Sequence, residues 1–141
     1  MANEYKHKRY FEKFNSVDDT SSPWDVVSFS KVTHSGTATE AYNSFNFPAV
    51  WDTNSPTKSY ALEDSGQTLV VTYEFDSASD QTGWLNAVEA AITANTCWDN
   101  TAGTGNHYKC VKVEWLAGDG STVDATDTPG FKNFSDPTST Y

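Results

Sequence analysis

The strictest constraint on how this chain folds lies in residues 67–75, QTLVVTYEF. Along an extended backbone Leu69, Val71, Tyr73 and Phe75 share one face, and Thr68, Val70, Thr72 and Glu74 share the other, because successive side chains of a strand alternate. A strand this one-sided needs a second layer to cover its apolar face. The sequence supplies one immediately, in DSASDQTGWLNAVEAAITANT. Ser77 or Ser79 suits a helix N-cap, and Asp80 falls in the first turn, where a negative charge meets the positive end of the helix dipole. Trp84, Leu85, Val88, Ala91 and Ile92 recur at the spacing of a single helical face. The pattern predicts a helix over about 79–94.

Strand signals flank this unit. Residues 24–33 (WDVVSFSKVT) alternate, and so do residues 107–116 (HYKCVKVEWL). In the second, His107, Lys109, Val111, Val113 and Trp115 are expected on one side, and Tyr108, Cys110, Lys112, Glu114 and Leu116 on the other. Ala117-Gly118-Asp119-Gly120 then reads as a hairpin turn that lets residues 121–126 pair back. Residues 36–57 are punctuated by Gly36, Pro48 and Pro56 and read as an irregular loop with one helical turn near 39–45. That loop carries Tyr42, Phe45, Phe47, Val50 and Trp51, so it covers part of the core or meets a partner. Strands with a single helix predict an α+β domain: a mostly antiparallel sheet, one helix on its face, and extended terminal segments. The expected division is an arm and linker over 1–23, one core domain over 24–126 and an extended tail over 127–141. The chain, at 141 residues, is the size of one domain.

Charge narrows the partners. The net charge is −10 at pH 7. It is unevenly spread, because Lys6, Lys8, Arg9 and Lys13 outnumber Glu4 and Glu12 at the start while acids dominate the rest. An acidic body repels phosphate backbones, which excludes nucleic acid as an expected partner. No stretch is apolar for long enough to span a membrane, and residues 1–14 lack the apolar run of a signal peptide. Synthesis in the cytosol is expected, and it disfavours a disulfide between Cys97 and Cys110; two buried thiols are the expected state.

Motifs of catalysis are missing. Cys97, His107 and Cys110 give C-x9-H-x2-C, which lacks the paired short spacings and fourth ligand of a zinc site, and His34 is remote. Asp119, Asp124 and Asp127 do not follow the calcium-loop pattern. No nucleophile elbow, phosphate-binding glycine loop or zinc-protease motif is present. The expectation is a non-enzymatic chain with no catalytic residue, metal or cofactor.

The segments VTYEFDSASDQTGWLNAVEAAI and KVEWLAGDGSTV carry a resemblance. They resemble small virion proteins of marine tailed bacteriophages, in which a strand ending in TYEFDS-like residues, a short helix opening with DQ and a strand ending EWL precede a Gly/Asp hairpin. The likeness spans residues 68–125, and its motifs are structural. It implies a virion structural protein, made in the host cytoplasm: a capsid decoration or cement protein, or a tail or neck component. Its partners would be copies of itself and other virion proteins, with no nucleic acid, membrane or small-molecule substrate. The expected interface residues are Tyr5, Arg9, Tyr10, Phe11 and Phe14 in the arm, Trp51 in the long loop, and Phe131 and Phe134 in the tail. On that reading, deleting residues 1–14 leaves the core folded. The alternative is a carbohydrate-binding or receptor-recognition module, with Trp51, Trp98 or Trp115 stacking on a sugar ring.

Overall fold

The computed structural model describes residues 5–16, 29–45, 47–94, 107–116 and 123–127. The strands are β1 (Lys6–Ser16), β2 (Phe29–Lys31), β3 (Thr57–Glu63), β4 (Thr68–Glu74), β5 (His107–Leu116) and β6 (Val123–Asp127). The helices are α1 (Ala38–Phe45) and α2 (Ala78–Ala94), with 3-10 turns at Ala49–Asp52 and Asp64–Gly66. All strand pairings are antiparallel, in the order β3-β4-β1-β5-β6. The fold is α+β and mostly sheet, as the patterning predicts.

The sheet is organised by β1. Residues 6–11 pair with β4, residues 7–14 pair with β5, and residues 14–16 pair with β2 beyond the end of β4. This corrects the expectation of an arm over residues 1–23: residues 6–16 are the central strand. The physical reason for the difference is composition. A central strand usually reads as apolar on at least one face, whereas β1 turns His7, Arg9 and Phe11 toward the helix layer.

Pairing stacks the inward side chains in rows across the sheet. Leu62, Leu69, Phe11 and Cys110 form one row. Tyr60, Val71, Arg9 and Val113 form the next, and Lys58, Tyr73, His7 and Trp115 the third. Cys110 and Val113, three residues apart, face the same way because the register between β1 and β5 shifts at Tyr10/Phe11. The shift places one extra residue on β5, and such a bulge reverses the alternation beyond it. It overturns the expected placement of Cys110 and Val113 on opposite sides.

The helix layer follows the sequence closely. Ser77 is the α2 cap: the Asp80 amide donates to its Oγ at 3.1 Å. Trp84, Val88 and Ala91 of α2 are buried on the sheet, while Leu85 is half-buried. The residues read as a loop divide in three. Residues 38–45 form α1, as expected near 39–45, and bury Ala41 and Phe45. The turn at 49–52 brings Trp51 under α2, where the Trp84 indole donates to the Trp51 carbonyl at 2.8 Å. Thr57–Glu63 form β3, a strand absent from the sequence reading. The β3–β4 connection runs through Asp64, Ser65 and Gly66 at φ 52°, 55° and 88°, the left-handed region that only glycine enters freely. A Cβ at Gly66 would lie 2.3 Å from the His34 carbonyl oxygen. Of the predicted strand at 24–33, residues 29–31 form β2. Residues 24–28, the arm residues 1–4 and the tail beyond 127 lie outside the described residues.

Because β1 holds three neighbouring strands, deleting residues 1–14 is expected to abolish cooperative unfolding. Circular dichroism during thermal melting checks this; a sharp transition in the truncated chain would contradict the central placement of β1.

Candidate functional site

The densest chemistry lies beneath α2. His7 and Arg9 sit two apart on β1, so both side chains enter the core, and they are 0% and 6% exposed. Arg9 Nε donates to His7 Nε2 at 3.2 Å. That bond requires a lone pair on Nε2, so the proton of the neutral ring sits on Nδ1. Nδ1 faces Gln81 Oε1 of α2 at 2.8 Å and donates to it. The imidazole is walled by aromatic rings: Tyr73 at 5.4 Å, Phe75 at 6.0 Å, Trp84 at 5.2 Å and Trp115 at 4.8 Å between centroids. Burial, reinforced by the Arg9 charge and opposed by the Gln81 bond, pulls the His7 pKa down to about 3.

Arg9 is a buried cation, and among the described residues the salt bridges are Lys58–Asp52 and Lys112–Glu114. The guanidinium is held by rings: it lies 4.9 Å from the Trp84 centroid and 6.0 Å from that of Trp51. A desolvated cation–π contact contributes about 2 kcal/mol, less than the several kcal/mol that taking a charge out of water costs. The Cys110 thiol, which is free, donates to the Lys112 carbonyl at 3.4 Å, and burial pushes its pKa up. The Tyr73 hydroxyl, fully buried nearby, has no hydrogen-bond partner among the described residues. His7, Tyr73 and Cys110 are all buried in the core.

Two other groupings lie nearer the surface. On the opposite face of the sheet, the Tyr10 hydroxyl donates to Glu114 Oε1 at 2.5 Å, and Lys112 Nζ lies 4.1 Å from the Tyr10 ring centroid. Burial and the Glu114 contact push the Tyr10 pKa up. Beside α1, an open depression of about 370 Å³ is lined by Thr33, His34, Ser35, Gly36, Glu40 and Ala41. Its one carboxylate is committed: Glu40 accepts from the Thr37 amide at 2.8 Å, and the Glu40 amide donates to Thr37 Oγ1 at 3.1 Å. This is a capping box. His34 stacks on Phe45 at 5.5 Å, and its Nε2 has no hydrogen-bond partner among the described residues. Burial and the nearby Lys13 lower its pKa.

The residues expected at an interface are placed differently. Arg9, Tyr10, Phe11 and Trp51 are all at most 7% exposed within this chain. Phe11 meets Phe47 at 5.0 Å and Trp51 at 5.5 Å, so these rings contact one another and offer no face to a partner or a sugar. This corrects the interface assigned to them: Arg9, Phe11 and Trp51 are buried beneath α2, and Tyr10 is buried on the opposite face of the sheet. Tyr5 is half-buried, with its carbonyl accepting from the Phe75 amide at 3.1 Å. Phe14 pairs through its backbone with Lys31 and His107; its side chain lies outside the described residues, as do Trp98, Phe131 and Phe134. His7 and Gln81 were missed, because a lone histidine and a polar helix position carry no motif.

His7 makes stability depend on pH. Its pKa is about 3 when folded against an ordinary 6.5, so between those values the unfolded chain binds one more proton. The contribution is complete above about pH 6.5 and is lost as pH falls toward 3, at about 1.4 kcal/mol per pH unit. Over denaturant titrations from pH 7 to 5, His7→Gln is expected to lose about 2 kcal/mol less stability than the parent chain. Equal losses would contradict the sealed imidazole. Comparison with known proteins yields no match: no family model, no curated protein and no solved structure is similar to this chain.

Proposed function

We propose that the chain is a non-enzymatic structural component of a virion, a capsid decoration or cement protein or a tail or neck component, acting through protein–protein contacts. The observation that carries the non-enzymatic half is the sealing of three ionisable groups whose titration is displaced. His7, Tyr73 and Cys110 are 2% exposed or less, and displaced titration at a working site goes with access to substrate. Here the same displacement comes from core burial. The virion half is supported by the resemblance over residues 68–125. That stretch contributes β4, α2, β5 and most of β6, the strand–helix–strand–hairpin order on which the likeness rests.

Contacts that use the exterior are consistent with this role. Among the described residues no helix is long and apolar enough to cross a membrane. The face of the sheet away from α2 carries half-buried Lys8, Thr72, Lys112 and Glu114 around buried Tyr10 and Val70. The alternative of a sugar-stacking module loses Trp51, which is 2% exposed.

Quantitative mass spectrometry of density-banded particles from the source of this chain tests the proposal. The chain is expected in the particle band at many copies per genome. Its recovery only in the soluble fraction of the same lysate, or a source that makes no particles, would overturn the reading.

A further inference from the structure

We draw no further inference here: the strongest candidate, the open depression beside α1 lined by Thr33, His34, Ser35, Gly36, Glu40 and Ala41, carries nothing, because its carboxylate is taken up by the Thr37 capping box and what remains among the described residues is the N-terminus of a short helix beside a half-buried histidine, with nothing that points to a ligand.

Discussion

Everything in the core is arranged around a polar pair on the central strand. His7 accepts from Arg9, donates to Gln81 of α2 and is enclosed by four aromatic rings. Burying a cation beside an imidazole is unfavourable unless every polar atom is matched and the charge meets polarisable surface. Both conditions constrain the rest of the chain. Trp84 must lie over Arg9, which sets the rotation of α2. Trp51 must reach the same guanidinium, which sets the path of residues 47–55. Its carbonyl then accepts the Trp84 indole proton, tying the turn to the helix. The aromatic richness of the chain is thus the environment that lets β1 carry polar residues in the middle of a sheet.

That arrangement explains which parts of the fold were legible beforehand. β4 and α2 follow ordinary periodicity, with Leu69, Val71, Tyr73 and Phe75 on one side and Trp84, Val88 and Ala91 on the other; both were read to within a residue or two. β5 was located, but its facing failed beyond the bulge, since an inserted residue has no local signature. β1 was misplaced because its inward residues are His7, Arg9 and Phe11. A stretch of cations and rings reads as a surface arm when nothing reveals the tryptophans waiting to receive it. β3 was passed over for a related reason: only Tyr60 and Leu62 face inward as apolar side chains, so Thr57–Glu63 resembles a loop.

The same logic accounts for the rings of β1 and residues 47–55: Phe11 and Trp51 are used within the subunit. The capping box at Thr37 and Glu40 and the left-handed turn at 64–66 hold the elements that flank β3, α1 and the β3–β4 connection.

The central claim is that the imidazole of His7 is neutral, with its proton on Nδ1, locked between Arg9 and Gln81. Nitrogen NMR of the ring through a pH titration reads this directly, since the two ring nitrogens report tautomer and charge separately. The account predicts a single neutral Nδ1–H form that persists from neutral pH down to about pH 4. A ring that exchanges tautomers, or that titrates near the ordinary 6.5, would contradict it.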